Sequence, residues 1–119
     1  MADLQEAPAK KPPSAGDPIL AEIVKKIVEV YHPERIYLFG SAARGDARPW
    51  SDYDLMVIVP DDTPIEVLKS DRIYEILRAM RARATEVHLS TRHNFDKQLH
   101  LKASFPSTIV REGKLLYGA

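Results

Sequence analysis

This chain of 119 residues predicts an α/β (α+β) fold, a small mixed sheet of three to four strands flanked by helices. Three observations carry that expectation. Ile19, Leu20, Ile23, Val24, Ile27, Val28 and Tyr31 recur at helical spacing, while Lys25, Lys26 and Glu29 fall on the opposite side. Three β-prone runs follow, at Arg35 to Phe39, Leu55 to Val59 and Thr85 to Leu89. The segment between the second and third runs reads as helical, which permits a right-handed parallel crossover, whereas the first two runs suit an antiparallel pair.

Each element has a local cause. Residues 1–17 are rich in Ala, Pro and Lys with little to bury, so a disordered tail is expected ahead of a domain over 18–119. Asp17-Pro18 reads as an N-cap and first helical residue, and Pro33 should end that helix. Ala42 to Arg44 should form a short helix after the Gly40-Ser41 turn. Pro60-Asp61-Asp62 breaks the second strand. Thr63-Pro64-x-Glu66 then opens a helix reaching Arg83, with an interruption near Ser70-Asp71 and a buried stripe of Ile65, Leu68, Ile73, Ile76, Leu77 and Met80. Asn94 to Lys102 reads as a weak helix and Pro106 to Glu112 as a better one, with Gly113 placed to stop it. Leu115 to Tyr117 should pack back as an extended piece.

Composition bounds the partners. Seventeen basic and seventeen acidic side chains cancel, so no overall field favours direct nucleic-acid binding. The bases do gather between Arg78 and Lys102, with Arg81, Arg83, Arg92 and Lys97 against only Glu86 and Asp96, an excess that suits a triphosphate or an acidic partner. The absence of cysteine removes disulfides and thiolate metal sites. The longest apolar run, Leu55 to Val59, is too short to span a bilayer, and a cytoplasmic location is expected.

The chemistry is concentrated between residues 38 and 55. Asp52 and Asp54 stand two apart at the start of a strand, so both side chains point to one face. Two adjacent carboxylates repel unless a cation sits between them, and Mg²⁺ favours carboxylates together with substrate phosphates. Gly40 lets backbone approach closely, and the Ser41 hydroxyl can donate to a phosphate. Arg44 and Arg48 carry guanidinium groups suited to phosphate, and Ser51 adjoins Asp52. The other reading is local: Ser41 as a helix cap, Ser51 and Asp52 as a turn, Arg48 paired with Asp46. That reading accounts for each residue singly but not for paired carboxylates beside a Gly-Ser turn. Tyr53, on the opposite face, is expected in the core, while Trp50 covers its loop. His88 shares the face of Glu86, either lining a nucleotide pocket or simply exposed. His93 and His100 have no metal-ligand grouping.

Gly40-Ser41, ten intervening residues and Asp52-x-Asp54 resemble the signature of the DNA polymerase beta superfamily of nucleotidyltransferases, its minimal nucleotidyltransferase branch in particular. The resemblance extends over roughly residues 18 to 117 and includes the closing Ile109 to Tyr117. It implies a Mg²⁺-dependent enzyme, with two ions and ATP as substrate. Asp52, Asp54 and Glu86 would be the catalytic and metal-binding residues, and Gly40, Ser41, Arg44 and Ser51 the nucleotide-binding ones. Glu86 departs from the family's usual aspartate, which adds reach and a rotatable bond. With no second domain to bind an acceptor, the resemblance implies an antitoxin that adenylylates a small helical HEPN-type partner, or an enzyme working as a homo-oligomer. A catalytically silent module that neutralises its partner by contact, and a transferase acting on a small-molecule acceptor, are the alternatives.

Overall fold

The computed structural model describes residues 15–48, 52–82 and 84–118. The expectations for most of the tail and for Trp50 and Ser51 fall outside these residues, whereas the helix expected to reach Arg83 ends at Ala79, with Arg81 in the left-handed region at φ +53°. Helix α1 (Pro18–Tyr31) begins as its sequence dictates: Asp17 Oδ1 accepts the Ile19 N–H at 2.9 Å and Pro18 occupies the first turn. Leu20, Ile23, Ile27 and Tyr31 form its buried stripe. His32 closes the helix in the left-handed region at φ +48° and donates its N–H to Val28 O.

The sheet comprises β1 (Arg35–Phe39), β2 (Tyr53–Val59), β3 (Thr85–Thr91) and β4 (Lys114–Tyr117), in the spatial order β3-β2-β1-β4. β1 runs antiparallel to β2 and to β4, while β2 and β3 are parallel, as the connection lengths require. β2 is central, and all of its residues are buried except Asp54.

Alternation along the strands produces two cores. Ile36, Leu38, Tyr53, Leu55, Val57 and Val59 pack with α1 and with α4 (Arg72–Ala79) through Ile73 and Leu77. On the other face Tyr37, Met56 and Ile58 meet Phe95 of α5 (Arg92–Asp96) and Ile109 of α6 (Phe105–Glu112). A sheet covered on both faces keeps the hydrophobic gain from each fully buried Leu or Ile, about 1.5–3 kcal/mol. Tyr53 lies in the first core as expected, fully buried, with its hydroxyl donating to Asp17 Oδ2. One residue thus ties the start of β2 to the start of α1.

The helical segment after β2 is split, and the expected interruption is realised. α3 (Ile65–Leu68) is a single turn, and Ser70 Oγ accepts the Arg72 N–H at 3.1 Å to start α4. Two details differ from expectation. Thr63 does not cap α3, because its hydroxyl donates to Pro60 O at 2.8 Å. Ile65 is 55% exposed rather than part of the buried stripe, since one isolated turn presents only part of its surface to the core. β3 is an edge strand, and its Val87 N–H and C=O are met by the Tyr74 hydroxyl of α4 at 3.1 and 3.4 Å. That contact blunts an otherwise open edge.

After β3, α5 starts two residues earlier than expected and ends at Asp96, the chain continuing as turns to His100. Gly113 does end α6, but by a different route from the left-handed cap that a helix-stopping glycine suggests. Its backbone is extended (φ −85°, ψ 179°). A Cβ there would meet Ile109 O at 2.5 Å and Leu38 O at 2.7 Å, so close packing against β1 demands glycine.

Candidate active site

The sheet register brings the acidic residues together. Phe39, Asp54 and Glu86 lie side by side across β1, β2 and β3, and Tyr37, Met56 and His88 form the next row. The two rows share the sheet face covered by α5 and α6, because residues two apart on a strand point the same way. The site therefore stands at the open end of the second core.

Gly40 follows β1 immediately and adopts φ +76°, a conformation that L side chains rarely take. A Cβ on Gly40 would come within 2.6 Å of Asp54 Oδ2. The glycine is needed twice, once for its backbone angle and once for the space that the carboxylate fills. α2 (Ser41–Arg44) then starts with Gly40 as its cap, and Ala43 and Arg44 donate to Gly40 O at 3.1 Å. Ser41 is the first helical residue and not the cap, half-buried beside the turn.

Asp54, Glu86 and His88 each offer one ligand atom, all within 4.8 Å of one another, a group that could hold a metal ion. His88 Nε2 lies 3.5 Å from Glu86 Oε1. Burial raises the Asp54 pKa above its ordinary value. The Glu86 charge, a hydrogen bond with Glu86 and the Asp52 charge push the same way, while His88 opposes them. A carboxyl held reluctantly ionised beside another carboxylate is what a cation would relieve. Two carboxylates suit a hard divalent ion such as Mg²⁺, and the imidazole nitrogen widens the set toward Mn²⁺ or Zn²⁺.

The remaining sequence candidates are placed unevenly. Asp52 is exposed, one residue ahead of β2; it stands outside the three-ligand group, yet its charge reaches Asp54. Arg44 is exposed and pairs with Asp46 through Nε at 3.4 Å. Glu86 sits beside Asp54 although its side chain is 65% exposed. Sequence reading put His88 on the face of Glu86 but did not count it among the metal ligands. The signal for it was the period of two from Glu86, together with the parallel pairing of β3. Aromatic neighbours hold its ring: Phe39 lies 5.3 Å away and Phe105 6.4 Å away, with Phe39 and Phe105 edge-on at 5.3 Å.

Among the described residues no helix is long and apolar enough to cross a membrane. The family model of the nucleotidyltransferase domain matches residues 18–116. Two crystal structures share the fold. One, a candidate nucleotidyltransferase of Sulfolobus solfataricus, is 24% identical with a TM-score of 0.53, covering 84% of this chain and 78% of that one. The other, a toxin–antitoxin with AMP-PNP, is 21% identical with a TM-score of 0.51, covering 83% of this chain and 73% of that one. No curated protein matches the sequence.

Proposed function

The chain belongs to the nucleotidyltransferase domain family, and from that premise we propose that it transfers the adenylyl group of ATP to a hydroxyl on a small helical partner protein of HEPN type. The observation that carries this reading is the pairing of Asp54 with Glu86 across β2 and β3, with Asp54 seated against the side-chain-free Gly40 turn. The acceptor oxygen attacks the α-phosphorus, the bond from that phosphorus to the pyrophosphate oxygen breaks, and Glu86 takes the hydroxyl proton. Ser41 donates to a departing phosphate oxygen, and the Gly40 backbone leaves room for it. Arg44 and Ser51 are assigned to the same phosphates.

The donor set fits a divalent cation. Asp52, Asp54 and Glu86 would hold Mg²⁺, two ions in the full site, with His88 beside them. Bound there, the metal would neutralise triphosphate charge and make the acceptor hydroxyl more acidic. The protein's own contribution is position, because in-line displacement depends on the relative placement of entering and leaving oxygens.

The antitoxin role draws support from the fold shared with a toxin–antitoxin with AMP-PNP. A tyrosine hydroxyl on the partner is the favoured acceptor. The exposure of Glu86 favours a second reading, a silent module that acts by contact alone. Incubation with Mg²⁺, labelled ATP and a small helical HEPN-type partner separates the two. Intact mass should show the partner heavier by one or more adenylyl units, and Asp52→Ala/Asp54→Ala should abolish that gain. A folded double mutant that neutralises the partner as well as wild type, with no mass gain from either protein, would establish the contact reading.

A further inference from the structure

His88 brings an imidazole nitrogen into a group that otherwise offers only oxygen. Its Nε2 stands 3.5 Å from Glu86 Oε1, and one atom from each of Asp54, Glu86 and His88 lies within 4.8 Å of the other two. We propose that His88 Nε2 is a direct ligand of the ion on the β3 side of the site, and that this position takes Mn²⁺ in preference to Mg²⁺. The assignment rests on the transferase reading above and deepens it by giving the two ion positions different donors. The position beside Asp52 has carboxylates and phosphate, and the position beside Glu86 has a mixed nitrogen and oxygen set.

Register and packing aim the nitrogen. Glu86 pairs with Asp54 across β2 and β3, and His88 lies one row farther along on the same face. Phe39, level with Asp54 on β1, lies 5.3 Å from the imidazole at an interplanar angle of 58°. Phe105 of α6 lies 6.4 Å away and close to edge-on, at 73°. Ring contacts on two sides leave the His88 side chain little rotational freedom, so Nε2 is held facing Glu86. Neighbouring ligands of an octahedral ion, each about 2.1 Å from the metal, stand roughly 3 Å apart. The 3.5 Å separation closes to that with a small movement of Glu86, whose 65% exposed side chain is free to make it.

The donors select the ion. Mg²⁺ demands near-ideal octahedral oxygen coordination and gives up its waters reluctantly, so an imidazole is a poor exchange for one of them. Affinity for a site containing nitrogen rises along the first-row divalent ions from Mn²⁺ to Cu²⁺. Zn²⁺ favours four ligands, and three from the protein leave it a single open position. In-line transfer asks for more than one, because a phosphate oxygen and the acceptor oxygen both take a place on the metal side of the site. Mn²⁺ joins the oxygen preference and six-coordinate geometry of Mg²⁺ to acceptance of one nitrogen, and it is the ion that the set Asp54, Glu86 and His88 fits best.

The test uses the full chain with Mn²⁺ and tripolyphosphate, a stand-in for the nucleotide that carries no nitrogen. Electron spin-echo modulation of the bound Mn²⁺ should show coupling to a directly ligated ¹⁴N, replaced by the ¹⁵N pattern when the histidines are ¹⁵N-labelled. His88→Gln should abolish the coupling and weaken Mn²⁺ binding about tenfold or more, while Mg²⁺ binding changes by less than about threefold. His88→Asp, an all-oxygen set, should show no nitrogen coupling and bind Mg²⁺ more tightly than wild type. The proposal is overturned if the wild-type spectrum shows no nitrogen coupling, which would make the His88–Glu86 contact an ion pair. It is equally overturned if the coupling survives His88→Gln, or if both ions lose affinity alike. The wild-type spectrum decides even where a variant fails to fold. Transfer of label is scored separately: coupling without transfer removes the transferase reading and leaves the ion site standing, and transfer without coupling does the reverse.

Discussion

Asp54 Oδ2 occupies the space that a Cβ on Gly40 would need, at 2.6 Å, so the turn after β1 and the carboxylate on β2 are fitted to each other. Gly40→Ala should therefore combine backbone strain of about 1–3 kcal/mol, because φ +76° with ψ −157° lies in a region kept almost wholly to glycine, with displacement of the carboxylate. Gly45 offers the control, because it too has positive φ, at +83°, but nothing lies within 4 Å of its Cβ position. Denaturant midpoints should fall for both variants, and further for Gly40→Ala. Binding of Mg²⁺ with ATP should be lost only in Gly40→Ala; retention there would separate the turn from the site.

The raised pKa of Asp54 sets a pH dependence. The folded protein holds this proton more tightly than the unfolded chain, so the stabilisation is fully present below the ordinary carboxylate pKa and is lost as pH rises through the raised folded value. At neutral pH without metal, the ionised carboxylate is a liability. Asp54→Asn should then raise the melting temperature by roughly 2–5 °C, a modest gain because solvent screens a half-exposed group. In acid below both pKa values the advantage should vanish. A variant less stable than wild type at pH 7 would contradict the repulsion.

Metal and triphosphate should stabilise together. Each supplies part of the other's coordination, so ligands that bind the native state jointly raise stability by more than their separate effects. A thermal melt with Mg²⁺ and ATP should exceed the sum of the two separate shifts, and Asp54→Asn should remove the excess. Additive shifts would mean that no shared site exists.

Glu86→Gln tests the proton acceptor. Loss of an interaction realised in the transition state should lower kcat by about 100-fold or more and leave KM for ATP nearly unchanged. Glu86→Asp, which keeps the carboxylate on a side chain one methylene shorter, should keep most of the activity. Wild-type turnover in Glu86→Gln would shift the role elsewhere, His88 being the nearest candidate.

Much of the fold was legible because its causes are local. Asp17-Pro18 marks a helix start through one hydrogen bond and one fixed φ, and Ser70 marks the break between α3 and α4 in the same way. The alternation within Tyr53 to Val59 assigns Tyr53 to one core and Met56 to the other before any partner is known. The Gly40-Ser41 turn and the paired aspartates could be read for the same reason, since spacing of two and a tight turn are properties of a short segment.

Proximity between distant segments was legible only in outline. The crossover placed Glu86 near Asp54, but the row Phe39, Asp54, Glu86 and the row Tyr37, Met56, His88 exist only once three strands are in register. His88 joined the ligand group, and Phe105 came to stand over it, because burial of the second core docks the start of α6 against β1 and β3. Gly113 shows both kinds of cause: its need to be glycine comes from Ile109 O four residues back and from Leu38 O, 75 residues earlier in the chain, and not from its own φ. Sequence periodicity determines which face a residue belongs to, while the burial of two apolar layers decides which faces meet.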